Sequence, residues 1–262
     1  MGAPASAAPA ATITDPPVPT GPDTDPDLQP AAEIAPEPAG TRPGLPADLT
    51  TESAIEPATD EPVGLGPWVG PWPDDTRLDG ELLSNGDRRN VVDRYRYWSN
   101  AAIVADLDQR RHGFHVAIEN WQHDMNIGTV VRNANAFLAA EVHIVGRRRW
   151  NRRGAMVTDR YQHVRHHPTI DDLVEWAGAA DLPIIGIDNL PGSRPIEAVE
   201  LPSSCVLLFG QEGPGLSAAA RLAVSMTCSI AQYGSTRSIN AGVASGVAMH
   251  AWIRQHAGPP PD

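Results

Sequence analysis

The chain has 262 residues, a formal net charge of −12 and 41% hydrophobic residues. This length allows one domain of ordinary size with a tail, or two small domains. No stretch approaches the roughly 20 apolar residues of a membrane span, and no basic segment followed by an apolar one begins the chain, so we expect a cytoplasmic protein without a membrane partner.

Residues 1–63 are predicted to form a disordered acidic tail rich in Pro and Ala. The segment holds eleven acidic residues, Arg42 as its one basic residue, and no aromatic residue. Such a composition cannot bury enough apolar surface to fold. The tail carries −10 of the total charge, so the remaining 199 residues sum to about −2. The acidic total therefore does not exclude a nucleic-acid partner.

The predicted secondary structure of the rest of the chain becomes regular from residue 114. Residues 64–113 are predicted to be a partly helical N-terminal extension, with a helix over 90–106. From 114 to 257, short β-rich runs alternate with helical stretches. The runs are 115–119, 141–146, 183–188, 205–210 and 226–231. Alternation of this kind predicts a parallel sheet flanked by helices.

Apolar spacing predicts helices over 126–139 and 239–255, and Thr169 followed by Asp172 marks the start of another. In the first of these helices Arg132 lies away from the apolar face and is expected to project out of the core. The last helix has small residues along one side, which permit close approach of another backbone. They are Gly242, Ser245 and Gly246, with Met249 in line.

Five arginines fall within seven positions after the second predicted strand. They are Arg147, Arg148, Arg149, Arg152 and Arg153. One interpretation is a solvated surface loop. The other is a surface that contacts RNA phosphates, and Trp150 within the cluster adds a ring on which a base can stack.

The two cysteines, Cys205 and Cys228, each lie in a short apolar run. Neither belongs to a CxxC pair, and no His pattern accompanies them. Both are predicted to be reduced core residues, and no metal site is predicted.

Three polar segments follow predicted strands, where open α/β sheets bind ligands. They are residues 119–137, 208–217 and 229–244. Taken singly, the glycines of the second segment are consistent with ordinary turns and Ser238 with a helix N-cap. The spacing of Gly210, Gly213 and Gly215 is not GxGxxG, and these glycines follow the fourth strand, so a nicotinamide enzyme is disfavoured.

Together and in this order, the three segments resemble the three motifs of the SpoU/TrmH family of RNA ribose methyltransferases, within the SPOUT superfamily. The pattern N-x5-N-x-G-x3-R-x3-AF is met over 120–137, and G-x-EG-x-GLS over 210–217. The third pattern, I-P-x-x-G-x3-SLN, is met at Ile230, Gly234, Ser238 and Asn240, although Ala231 replaces the usual Pro and Ile239 the usual Leu.

The resemblance implies an α/β fold with a parallel sheet flanked by helices and a C-terminal trefoil knot. It also implies S-adenosyl-L-methionine as cofactor, RNA as substrate, and a homodimer with active sites at the subunit interface. The implied reaction is methyl transfer to a ribose 2′-hydroxyl. A tRNA is slightly favoured as substrate, because no additional N-terminal RNA-binding fold is recognisable. The alternatives are an rRNA 2′-O-methyltransferase, a non-catalytic knotted RNA-binding protein, and transfer to a base nitrogen.

The resemblance assigns the methyl-transfer step to Arg132, either as a base or as a cation that holds an RNA phosphate and polarises the hydroxyl. The other residues predicted to be catalytic are Asn120, Glu212, Ser238 and Asn240; for Glu212 a structural role is an equal alternative. The predicted cofactor contacts are Ile187, Gly210, Ile230, Ser238 and Ile239. The predicted RNA contacts are the five clustered arginines.

Overall fold

A parallel sheet of seven strands forms the centre of the protein in a computed structural model that describes residues 64–122 and 126–258. The strands are β1 (Phe114–Asn120), β2 (Val142–Gly146), β3 (Val164–His167), β4 (Ile184–Ile187), β5 (Arg194–Pro195), β6 (Cys205–Phe209) and β7 (Met226–Ser229). Their order across the sheet is β3-β2-β1-β6-β4-β7-β5. The predicted tail, residues 1–63, lies outside the described residues.

Helices cover both faces of the sheet. The helices on the sheet are α3 (Ile127–Ala136), α4 (Ile170–Ala179), α5 (Ala218–Ala223) and α6 (Ala241–His256), and the N-terminal extension contains α1 (Gly80–Asn85) and α2 (Asn100–Asp108). Successive residues of a strand point to opposite faces. In β6, Leu207 accordingly packs in the core beneath α3 and α6, whereas Leu208 packs beneath α4 and α5. The predicted parallel sheet flanked by helices is confirmed.

The sequence predicted the five inner strands but not β3 and β5. β3 is Val-Arg-His-His at one edge of the sheet, and only His167 of its four residues is buried. β5 has two exposed residues at the other edge, one of them a proline. Edge strands lack the continuous apolar run that marks a strand buried on both faces.

The predicted helix over 90–106 is wrong in extent. A short 3-10 helix covers Asp93–Tyr95, and α2 begins only at residue 100. Tyr97 has a positive φ of 63°, which interrupts any helix. Ser99 then caps α2, because its side-chain oxygen accepts a hydrogen bond from the backbone N–H of Ala102 at 3.1 Å.

The N-terminal extension is attached to the rest of the fold through Arg111. Its guanidinium donates to the side-chain oxygen of Gln162 at 2.9 Å and to the backbone oxygen of Tyr161 at 2.8 Å. Tyr161 also packs with Ile103 of α2 in a small separate core. The extension therefore lies against the segment that follows the arginine cluster.

The small residues of α6 pack against α3 of the same chain. A Cβ on Gly242 would lie 2.8 Å from the side chain of Thr129. The side-chain nitrogen of Asn133 donates to the Gly242 backbone oxygen at 2.8 Å and to Ser245 Oγ at 3.0 Å. The close backbone approach that these residues permit thus occurs within one subunit.

Cys205 and Cys228 are buried and unpaired, as predicted. Burial raises the pKa of the Cys205 thiol to about 12. In the part of the chain that the structure describes, no helix combines the length and apolar character of a bilayer span.

Candidate functional site

A cavity of about 240 Å³ opens beyond the carboxyl ends of β6, β4 and β7, three adjacent strands. This is the edge at which parallel α/β sheets place ligands. Its apolar wall is formed by Ile187, Phe209, Ile230 and Ile239. Its polar wall includes Asp188, Asn189, Gln211, Gln232 and Ser238. The side-chain oxygen of Gln232 is buried without a hydrogen-bond partner in the described residues, so the cavity holds an unused acceptor.

All five predicted cofactor contacts line this cavity: Ile187, Gly210, Ile230, Ser238 and Ile239. At Gly210 a side chain is excluded, because a Cβ would lie 2.0 Å from the carbonyl carbon of Gly215. Gly215 itself has a φ of +69° and exchanges two backbone hydrogen bonds with Gln211, at 3.0 and 3.1 Å. The glycines therefore close a tight loop that forms one wall of the cavity.

A chain of hydrogen bonds joins the three polar segments beside the cavity. The Asn126 side-chain nitrogen donates to a carboxylate oxygen of Glu212. The Asn240 side-chain nitrogen donates to the Asn126 side-chain oxygen at 2.8 Å. The Asn240 side-chain oxygen caps α6 by accepting from the N–H of Gly242 at 2.9 Å. Segments more than 80 residues apart in sequence thus meet at one place.

Two acidic residues that the sequence did not single out hold the loop over residues 210–217. Glu119, fully buried at the end of β1, accepts from Trp121 Nε1 at 2.7 Å and from the Ser217 N–H at 2.8 Å. Asp188, directly after β4, accepts from the Leu216 N–H at 2.9 Å. The one signal in the sequence was an acidic residue at the end of an apolar strand.

Asn120 holds the arginine loop, residues 147–155, which carries the five clustered arginines. It does not line the cavity. Its buried side-chain nitrogen donates to the backbone oxygens of Arg147 at 2.6 Å and Arg149 at 3.0 Å. The five arginine side chains of the cluster are all exposed. Arg152 forms the one ion pair among them in the described residues, with Asp159 at 3.3 Å.

Trp150, for which the sequence suggested base stacking, is only partly accessible. It is partly buried against the main core, and the Arg152 guanidinium lies 5.6 Å from its ring centre. Part of its surface is therefore covered by the protein itself.

Arg132 is exposed on α3 and does not line the cavity. Within residues 64–122 and 126–258, its side chain has no hydrogen bond or ion pair. The structure thus brings Glu212, Ser238 and Asn240 to the cavity, and places Asn120 and Arg132 outside it. α3 nevertheless touches the arginine loop, because a Cβ on Gly128 would lie 2.7 Å from the Ala155 backbone nitrogen.

Comparison with known proteins identifies related methyltransferases. The sequence profile of the SpoU rRNA Methylase family matches residues 113–250. An uncharacterised tRNA/rRNA methyltransferase of Mycolicibacterium vanbaalenii is 32% identical over 147 residues, which are 53% of this chain and 46% of that protein. Another, of Mycobacterium bovis, is 32% identical over 164 residues, 60% of this chain and 50% of that protein. The chain thus spans about half the length of these relatives.

Solved structures share the fold. The SpoU methyltransferase AviRb of Streptomyces viridochromogenes, in complex with AdoMet, superposes with a TM-score of 0.51 at 24% identity, over 57% of this chain and 60% of that one. The TrmH/SpoU tRNA modifying enzyme of A. aeolicus gives a TM-score of 0.53 at 19% identity, over 60% of this chain and 81% of that one.

Proposed function

Because the chain belongs to the SpoU rRNA methylase family, we propose that it transfers a methyl group from S-adenosyl-L-methionine to a ribose 2′-hydroxyl of RNA. The observation that carries this proposal is the meeting of three polar segments beside one cavity at the carboxyl edge of the sheet. We place the reaction in the cytoplasm, where tRNA and ribosomes function.

The cavity fits the proposed cofactor in its chemistry. Ile187, Ile230 and Ile239 offer apolar walls for an adenine, and Gln232 offers a buried oxygen without a partner in the described residues. Its volume of about 240 Å³ lies just below the range for ligand pockets, about 300–1,000 Å³, so we assign it to part of the cofactor, the nucleoside, and not to the whole molecule. When bound, S-adenosylmethionine supplies a sulfonium methyl group that a hydroxyl oxygen can attack in line.

The arginine cluster is the surface that we assign to the RNA backbone. Five exposed guanidinium groups with one internal ion pair leave most of the positive charge available to phosphates. Asn120 fixes the loop at two carbonyl oxygens, and Gly128 brings it into contact with α3. The loop consequently packs against the helix that carries Arg132.

Arg132 is assigned the step at the reacting hydroxyl. A guanidinium remains charged at neutral pH, so the role that its chemistry favours is to hold a phosphate and stabilise negative charge on the ribose oxygen. Within the described residues it has no carboxylate partner that would neutralise it. Glu212 is held by Asn126, and we assign it to the architecture of the cavity rather than to proton transfer.

We propose a homodimer in which Arg132 of one subunit serves the cavity of the other. Arg132 does not line its own cavity, and α6 has an exposed apolar stripe next to that cavity. The stripe consists of Val243 and Val247 of α6, which are 56% and 38% exposed, and Ile239, which lies just before the helix and is 36% exposed, continues it. Burial of such a stripe between two copies is favourable. A C-terminal trefoil knot is part of the same proposal, in keeping with the contact between Asn189 and the Arg237 backbone oxygen at 3.2 Å.

Mixing two inactive variants tests the reaction and the dimer together. Arg132→Ala should abolish methyl transfer and leave the Kd for S-adenosylmethionine unchanged in calorimetry. Ser238→Trp should fill the cavity and abolish cofactor binding. Random exchange of the two kinds of subunit gives half heterodimers with one intact site each, so activity should return to about a quarter of wild type.

Arg254→Ala serves as the control, because Arg254 is also an exposed arginine on a helix. Its activity should match wild type. Absence of activity in the mixture would contradict the shared site, and full activity of Arg132→Ala would contradict the proposed reaction.

Nucleoside analysis of the methylated RNA separates the remaining alternatives. A 2′-O-methylated nucleoside supports ribose transfer, and a base-methylated nucleoside refutes it. Absence of S-adenosylmethionine binding at millimolar concentration would favour the non-catalytic RNA-binding protein. Comparison of cellular tRNA and rRNA from a gene deletion identifies the substrate, for which we favour tRNA.

A further inference from the structure

Three histidines of neighbouring strands touch one another on the face of the sheet that α4 covers. His143 Nε2 lies 3.1 Å from His115 Nδ1, and His143 Nδ1 lies 2.9 Å from His167 Nε2. The Trp176 ring covers the group, with its centre 4.1 Å from that of the His143 ring. His143 and His167 are buried and His115 is partly buried. Nothing in the proposed methyl transfer uses these side chains.

A carboxylate completes the group. Glu141 Oε2 lies 3.9 Å from His143 Nε2, and the ligand atoms of His115, Glu141 and His143 all lie within 4.8 Å of one another. Two ligands of a tetrahedral zinc ion are about 3.3 Å apart, since Zn–N distances are about 2.0–2.1 Å. The three atoms are therefore spaced so that small side-chain rotations direct them at one ion.

We propose that His115, His143 and Glu141 form a binding site for a divalent transition metal of the zinc class. Two imidazoles and one carboxylate are a ligand set that zinc accepts, with solvent in the fourth position. The site is at the amino-terminal ends of β1 and β2, at the opposite edge of the sheet from the cavity over β6, β4 and β7. It is separate from the proposed methyl-transfer site.

The surroundings of His143 favour its role as a metal ligand. When its Nδ1 donates to His167, the Nε2 lone pair faces His115 and Glu141, and such an outer hydrogen bond orients a metal-bound imidazole. Burial lowers the pKa of His143 to about 2 and also lowers those of His115 and His167, so all three rings are uncharged at neutral pH.

Arg165 is the group that opposes a cation here. Its Nε donates to both oxygens of Glu141, at 3.1 and 3.2 Å. The Arg165 side chain is 49% exposed, so its guanidinium can turn toward solvent when Glu141 binds a metal. We therefore expect a moderate affinity, which the opposing charge limits.

Cobalt titration of the full chain tests the site. After treatment with a chelator and dialysis, Co²⁺ should bind with a stoichiometry of one and give the strong visible absorption of four-coordinate cobalt, and Zn²⁺ should displace it. Glu141→Gln and His115→Gln should each weaken binding about tenfold or more. Both replacements occur at positions that are not fully buried, which favours retention of the fold.

His163→Gln is the matched control, because His163 also pairs with a carboxylate, Asp108, at 2.8 Å. Its affinity for Co²⁺ should match wild type. Absence of a stoichiometric cobalt complex, or equal affinity of wild type and Glu141→Gln, would show a hydrogen-bonded histidine ladder without metal. Methyl transfer by Glu141→Gln should be unchanged, so failure here is distinguishable from failure of the proposed reaction.

Discussion

Replacing Glu119 with Gln should destabilise the protein by about 2–3 kcal/mol, because the buried carboxylate accepts two hydrogen bonds. Each hydrogen bond to a charged acceptor contributes about 1.5–3 kcal/mol. The donors are Trp121 Nε1 at 2.7 Å and the Ser217 N–H at 2.8 Å. An amide keeps one acceptor and turns an NH₂ group toward the other donor, so one bond is lost and two donors face each other.

Urea denaturation of wild type and Glu119→Gln measures the loss directly. For a folded region of this size, the expected change corresponds to a fall in Tm of about 4–12 °C. Because Ser217 ends the loop that lines the cavity, the Kd for S-adenosylmethionine should also rise. Trp121→Phe removes one donor, so in that background the cost of Glu119→Gln should fall by about half or more.

A free energy of unfolding for Glu119→Gln within about 0.5 kcal/mol of wild type would refute this reasoning. It would mean that the loop over residues 210–217 is held by other contacts, such as the hydrogen bond from Leu216 to Asp188. An unchanged cost in the Trp121→Phe background would separately contradict the role of the indole N–H.

Three further outcomes are expected. Replacing the three arginines at residues 147–149 with alanine should weaken RNA binding. The slope of log K against log salt concentration, measured by filter binding, should become shallower by about 0.7–0.9 for each phosphate that the variant no longer neutralises. An unchanged slope would exclude these arginines from the interface. In the metal-free protein, acidification from pH 7 to 5 should cost about 2 kcal/mol through His143 alone, since its folded pKa of about 2 lies below the unfolded value of 6.5 and the unfolded chain binds the proton first. A His143→Gln variant whose stability fell as steeply with pH would contradict that assignment. Deleting residues 1–63 should preserve methyl transfer, and complete loss of turnover in the shortened chain would contradict a dispensable tail.

The fold could be predicted from the sequence where strands are buried on both faces. β6 is Cys-Val-Leu-Leu-Phe with every residue buried, and such a run has few alternatives. The edge strand β3 escaped prediction because three of its four residues are polar. The helix expected over 90–106 is interrupted at Tyr97, which has a left-handed backbone conformation. The spacing of apolar residues does not reveal such a conformation, so the interruption was not predicted.

The residues that line the candidate site could be predicted from the sequence, but the contacts between them could not. The motif resemblance selected Gly210, Ser238 and Ile239, which line the cavity. The position of Arg132 outside that cavity depends on how α3 packs, which no local pattern contains. The contacts of Glu119 likewise join residues 98 positions apart, so only the folded chain shows the bond to Ser217.

The pairing of β1 with β6, in the middle of the sheet, can form only after most of the chain has been synthesised. Phe114 pairs with Cys205, about 90 residues further along the chain, and β2, β3, β4 and β5 lie between these two strands in sequence. Contacts of such long sequence separation form slowly, and until they form the apolar edge of β1 has no neighbour on that side. A nascent chain that stalls before residue 205 would therefore present this edge to chaperones or to other unfolded chains.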